Sequence, residues 1–437
     1  MKQLFFVFGA AAVLTSSCSK DRDAIPAETA LSLTAQTSLG GNDRDFALAI
    51  ASSPDGGYVA AGYTYSTTGE LTSTHGFSDA VVVKYDANHV VQWKKVYGGN
   101  AMEFANTIIA TPDGGYIFAG TGTSRDGDMT GGGYHGGDDV WVVKIDATGN
   151  LQWQKAYGGI KSDGARSIAR CPDGGYVIAG YTEGTNGDFP VTKGSYDCLL
   201  FKISATGTLL WQRTMGSTQL DQANSVTCNA AGEIVMAGTV RLADGDFPAT
   251  HGGEDIWIVK FDATGNVLWK KNYGSTNSDH GNVVIATTGG YVITGLVQAG
   301  GGDVTGYHDN GDAWTFAIDE TGKLLWQKTV GGSAYETGYG LCRANDGGFF
   351  VTGQSSSNDG DMTGNRGATD VMIIKLSSTG QLLWQKNIGS SATDQGQGII
   401  PFGRRGCIVA AGVTTNDADV TTNKNPGNYD WWIPVIQ

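Results

Sequence analysis

The chain has 437 residues, 40% of them apolar and only 16% charged, which suits a globular protein with a large buried core. A net charge of -14 and a pI near 4.8 exclude the basic surface that nucleic acid selects. No internal stretch reaches the roughly 18 to 20 apolar residues of a membrane-spanning helix.

In chain order, residues 1–18 come first and read as a processing segment outside the fold. Lys2 supplies the charge, LFFVFGAAAVL the short apolar stretch, and Thr15-Ser16-Ser17-Cys18 a small-residue cleavage site. This resembles a bacterial lipoprotein signal in which Cys18 becomes the lipidated first residue, although Thr15 takes the place of the usual Leu. The looser box resembles that of Bacteroidota lipoproteins, and Ser19-Lys20-Asp21-Arg22-Asp23 is similar to the charged tract that sends them to the cell surface. Residues 19–29 are then a tether, and the expected location is the outer membrane or cell surface, attached only through the lipid on Cys18. Secretion, with Cys18 incidental, is the alternative.

From residue 30 onward the chain repeats. A Gly closes an apolar run at Gly62, Gly120, Gly180, Gly238, Gly295, Gly353 and Gly412, so the period is 57 to 60 residues. A Trp follows in six copies, at Trp93, Trp153, Trp211, Trp269, Trp326 and Trp384. The missing copy stands at the other end: Ala30 to Gly41 aligns with the segment around Trp153 and carries Ala35 in the Trp position. A chain offset in this way can pair its two ends and close a ring.

The second repeat shows the plan. Ala105 to Thr111 reads as a strand, Pro112-Asp113-Gly114-Gly115 as a tight turn and Tyr116 to Gly120 as the next strand. A loop of nearly twenty residues leads to Val140 to Asp146, and a second tight turn leads to Leu151 to Tyr157. Small residues fill the first two strands and bulky ones the last two, as radially packed sheets require. The prediction is an all-β, seven-bladed β-propeller with four antiparallel strands per blade. The seventh blade is expected to combine Gln395 to Phe402, Cys407 to Gly412 and Asp430 to Val435 with residues 31–39.

Two acids recur in every repeat. One precedes the inner strand (Asp45, Glu103, Asp163, Asp221, Asp279, Glu336, Asp394), the other opens the third strand (Asp79, Asp139, Asp197, Asp255, Asp312, Asp370, Asp430). Sevenfold recurrence points to scaffolding. If the chain is catalytic, Glu103 and Asp163 are the candidate carboxylates. Asp126 with Asp128 and Asp359 with Asp361 form Asp-Gly-Asp loops that could hold calcium, although the full D-x-D-x-D-G pattern is absent. His75, His135, His251 and His308 share one loop position with Lys193 and Arg366, which suits a cationic donor and not a metal ligand. A local site should lie where the repeats disagree. One such position runs Leu48, Asn106, Arg166, Asn224, Asn282, Tyr339, Gln397, and within it Arg166, Tyr339, Asn106, Asn224 and Asn282 are the candidate ligand-binding residues. The remaining cysteines share no repeat position, and a bridge such as Cys198 with Cys228 is conceivable.

The order D-x-A-x-S-I, D-G-G-Y-V-I-A-G-Y-T, D-F-P, G-x-x-D, V-K, G, L-x-W, G-G resembles the SBBP-type bacterial seven-bladed propeller repeat. Gly187-Asp188-Phe189-Pro190 and Gly245-Asp246-Phe247-Pro248 are its most telling pieces. The resemblance covers residues 30 to 437 and implies a fold and a surface or secreted setting, not an activity. The expected function is a monomeric, surface-anchored, noncatalytic binding or scaffold lipoprotein whose long-loop face takes glycan, peptide or a partner outer-membrane protein. A glycoside hydrolase or polysaccharide lyase with acids in the funnel is the alternative.

Overall fold

The computed structural model describes residues 31–437 apart from 74, 185, 190, 191, 242, 243, 248 and 249. Cys18, the leader and the tether lie outside the described residues. Seven four-stranded antiparallel sheets follow one another around the ring. In the first, Asp45–Ser52, Tyr58–Thr64, Asp79–Tyr85 and Val91–Tyr97 run from inside to outside. The last sheet joins Gln395–Phe402, Gly406–Val413 and Asp430–Ile436 to Leu33–Leu39, which pairs antiparallel from Leu33 opposite Ile436 to Leu39 opposite Trp431. The ring is therefore closed by its N-terminal strand. Ala35 stands opposite Val435, where Trp93 stands opposite Lys84 in the first blade.

The core is a series of layers between neighbouring blades. Every residue of the third strand Asp139–Ile145 is buried, as a strand covered on both faces requires. Val59, Ala61 and Val82 of one blade pack on Phe118, Trp141 and Val143 of the next. The outer strands alternate and leave polar residues at the rim, and their recurring aromatics reach sideways. Trp93 Nε1 donates to the Ala147 carbonyl at 3.1 Å and Tyr97 Oη to that of Gly149 at 2.6 Å, both in the outer turn of the following blade.

The repeated Gly has a mechanical cause. In each inner strand one residue bulges out of register, for example Asn106 between Ala105, which faces Gly120, and Thr107, which faces Ala119. The bulge presses the carbonyl of the preceding residue against the partner strand, so that a Cβ on Gly120 would stand 1.8 Å from the Phe104 oxygen. The same clash, at 1.8 to 2.0 Å, applies at Gly62, Gly180, Gly238, Gly295 and Gly353. In the seventh blade the corresponding place is taken by Ala411, which faces Gly396, while Gly398 beyond the bulge faces Ala410. Gly412, the expected marker, is one place further on and instead makes room for the Phe46 ring.

The cysteine expectation also needs correcting. Cys198 is buried and free, whereas Cys171 and Cys228 form a disulfide across the third and fourth blades, with Cα atoms 5.4 Å apart. They occupy adjacent repeat positions at the ends of neighbouring inner strands.

Candidate functional site

Glu103 and Asp163, the candidate catalytic acids, are both 0% exposed. Glu103 accepts hydrogen bonds from the backbone N–H groups of Gly99, Thr123 and Ser124 at 2.8 to 3.2 Å, and Asp163 accepts one from Gly159 at 2.8 Å. Each lies beside the third-strand acid of the preceding blade. A Cβ on Gly98 would stand 2.1 Å from Asp79 Oδ1 and 2.8 Å from Glu103 Oε2, and Gly158 is wedged in the same way between Asp139 and Asp163. Burial pushes Asp139 and Asp163 up to about 6, and for Asp139 the Asp163 carboxylate adds to the rise. These carboxyls hold loops between blades and face neither the channel nor solvent.

The Asp-Gly-Asp loops also serve the blade junctions. Asp128 N–H donates to the Gly98 carbonyl at 2.9 Å, its carboxylate accepts from Gly98 N–H at 3.1 Å, and Asp126 accepts from Asn100 N–H at 2.8 Å. Asp359 takes Ser333 N–H at 2.7 Å, while Asp361 pairs with Lys328 at 3.0 Å. Among the described residues no three His, Cys, Asp or Glu converge as metal ligands. The loop histidines face the third-strand acids, with Nδ1 of His308 2.8 Å and that of His251 3.1 Å from Asp312 and Asp255. Lys193 extends the pattern to the next blade, meeting Asp246 at 2.7 Å.

Asn106, Arg166, Asn224, Asn282 and Tyr339 come together. They are the bulged residues, and the bulge aims each into the central channel, a cavity of about 470 Å³ that Leu48 and Gln397 complete. Three of them also rivet the wall: the side-chain amides of Asn106, Asn224 and Asn282 donate to the Ala165, Gly281 and Gly338 carbonyls of the next blade, each at 2.9 Å. Arg166 is exposed, its guanidinium 5.5 Å from the centre of the Tyr181 ring. Burial, together with neighbouring Tyr335, pushes the Tyr339 phenol up to about 12.

The channel opens on the long-loop face into a mouth of about 400 Å³ between the third and sixth blades. Here the structure adds residues that the sequence reading missed. Glu254 lies 3.4 Å from His280 Nε2 and accepts from Arg241 Nε at 2.8 Å, with Tyr335 and Thr337 across the opening. Burial holds His280 below its usual range despite Glu254. The other half of the face is aromatic. Tyr63 packs on Phe104 at 5.1 Å, Tyr65 on Phe77 at 5.5 Å and Phe46 on Tyr429 at 5.0 Å, and Phe77 is 67% exposed. A signal existed for both halves. His280, Phe46 and Phe104 follow the inner-strand acid, and Glu254 and Tyr429 precede the third-strand acid, at positions where the repeats also disagree.

No family model matches the chain. It is 25% identical over 206 residues to the regulatory protein FlaEY of Caulobacter vibrioides, a match covering 42% of this chain but only 21% of FlaEY. The chain thus spans about a fifth of that relative's length. Two solved structures superpose on most of it. The Neurospora crassa Pan2 WD40 domain has TM-score 0.49 and 10% identity, over 93% of this chain and 97% of that one. A Dyadobacter fermentans protein of unknown function has TM-score 0.48 and 12% identity, over 94% and 100%. A closed propeller with a formed channel is consistent with a binding or scaffold role.

Proposed function

We propose that this protein is a noncatalytic binding module, lipid-anchored through Cys18 at the outer membrane or cell surface, which takes a glycan on the long-loop face. One observation carries the reading: the side chains that break the sevenfold repeat converge on one face, as an aromatic half around Phe77 and a polar half around Arg166 and His280. Flat rings beside planar amides and hydroxyls suit sugar rings with their many hydroxyl groups. Two further features support export: the leader with its Cys, and the Cys171–Cys228 bridge, which suits an oxidising compartment. The burial of Glu103 and Asp163 weighs against the glycosidase alternative, because a carboxylate pair must reach the glycosidic oxygen and a water.

The test is a glycan panel scored both for binding and for chain cleavage, read as reducing ends or unsaturated products. Saturable binding without cleavage is expected. Cleavage would overturn the noncatalytic reading, and failure to bind any glycan would overturn the glycan reading.

A further inference from the structure

Arg166 is mounted for a ligand. Where other blades place Phe46, Phe104, Gln222 or His280 after the inner acid, the third blade has Gly164, and a Cβ there would stand 2.5 Å from Tyr181 Oη. The vacated space holds the Tyr181 ring, braced edge-on by Tyr196 at 5.4 Å, and the Arg166 guanidinium lies over that ring. Stacking on an aromatic face fixes the plane of a guanidinium and leaves its fork of N–H donors free, the arrangement for bidentate recognition of a carboxylate.

The surrounding charges are already answered. Glu254 is neutralised by Arg241 at 2.8 Å and faces His280 at 3.4 Å. Among the described residues lining the channel and its mouth, Arg166 is the one Lys or Arg, and it has no carboxylate partner. A solvent-facing guanidinium without a carboxylate partner, in a protein of net charge -14, is chemically suited to an anion. Across the opening stand Tyr335 and Tyr339, and between them the amides of Asn224 and Asn282. Each inner strand is the edge of its sheet, but side chains already occupy part of that edge: Asn224 and Asn282 donate to the Gly281 and Gly338 carbonyls, and the Val226 and Val284 N–H groups donate to the Ser167 and Ser225 hydroxyls, which leaves less backbone for a peptide to pair with.

We propose that the mouth selects acidic glycans, with Arg166 taking the carboxylate of a uronic acid residue in a bidentate pair and Tyr339, Asn224 and Asn282 taking its ring and hydroxyl groups. This rests on the glycan-binding reading above and adds the substrate class to it.

The experiment is titration calorimetry on the full mature chain at neutral pH with three uronate oligomers, those of galacturonate, mannuronate and glucuronate. Their carboxyl-reduced counterparts and poly-glutamate are the controls. At least one uronate oligomer is expected to bind about tenfold or more tightly than its reduced form, the range of a hydrogen-bonded charge. Arg166→Gln should remove that preference, so that acidic and reduced oligomers bind it alike, and Arg166→Lys should restore the preference only in part. Because Arg166 is exposed and makes no ion pair, both variants are expected to melt with the wild type. Equal binding of acidic and reduced oligomers would overturn the acidic preference and leave glycan binding standing. A preference that survives Arg166→Gln would overturn the role of Arg166. Binding of poly-glutamate alone would overturn the glycan assignment itself.

Discussion

Gly120 shows how one atom sets the period of the chain. Its missing Cβ admits the Phe104 carbonyl, and that carbonyl is displaced because Asn106 bulges toward the channel. The site position and the repeat marker are thus two sides of one feature. Gly120→Ala should destabilise the protein by about 1–3 kcal/mol, as overpacked sites do, measured as a lowered urea midpoint with an unchanged slope. The seventh blade already carries Ala411 at this place, so the sheet can absorb a Cβ by shifting. A Gly120→Ala protein as stable as the wild type would mean that every blade shifts freely and that the glycines serve some other purpose. The bulge column was legible in the sequence as a row of unlike residues beside like ones, with Arg166 and Tyr339 its outliers. What could not be read was the partner of each side chain: the amide rivets of Asn106, Asn224 and Asn282 depend on which carbonyl the next blade presents.

At the scale of elements, the strand Leu33–Leu39 was legible because Ala30 to Gly41 aligns with the outer-strand segment around Trp153, with Ala35 in the Trp position. Its register follows from pairing with Asp430–Ile436, and Trp432 Nε1 donates to Gln36 Oε1 at 3.0 Å across the join. A chain beginning at Gly41 should melt lower than the full mature chain, because each ladder hydrogen bond contributes about 0.5–1.5 kcal/mol net and Trp431 and Trp432 lose cover. Differential scanning calorimetry decides it, with equal melting temperatures refuting closure by this strand. The Asp-Gly-Asp loops were harder to read. Two carboxylates two residues apart serve calcium or a turn equally well on paper, and only the Gly98 backbone, some thirty residues away, shows the clasp. The disulfide escaped for a related reason: Cys171 and Cys228 differ by one repeat position, and only the packing of neighbouring inner strands brings their ends together. His280 and Glu254 were legible in principle, lying next to the recurring acids, but their meeting is a contact between a loop of one blade and the inner strand of the next.

Across the whole molecule, each of the seven blade junctions holds an inner-strand acid, 0% exposed, beside a third-strand acid no more than 1% exposed. Their environment is unfavourable to charge. Burial pushes Asp45 up to about 7, with Asp430 adding to the rise, and pushes Asp139, Asp163, Asp279 and Asp370 up to about 6. In Asp139, Asp255 and Asp312 one carboxyl oxygen has no hydrogen-bond partner, so the charged form lacks donors that would offset its burial. The linkage runs in one direction. An acid whose pKa is higher folded than unfolded binds protons more tightly in the native state, so its contribution is complete below the unfolded value near 4 and is lost as pH rises through 6 to 7. The turn acids act oppositely. Asp113 feels some burial, but its bonds from Lys144, Thr111 and Gly115 hold it down to about 2, so its contribution is present above about 4 and is lost only as pH falls toward 2. Between pH 5 and 8 such lowered turn carboxylates are charged in both the folded and unfolded states and contribute no slope, so the buried acids set it. Stability should therefore peak at mildly acidic pH, with the urea midpoint higher at pH 5 than at pH 8. Asp163→Asn removes the ionisation at one junction and should flatten that slope while keeping acceptance from Gly159 N–H. A midpoint that instead rises from pH 5 to pH 8 would mean that the paired carboxyls are charged in the folded ring and stabilised by a counterion.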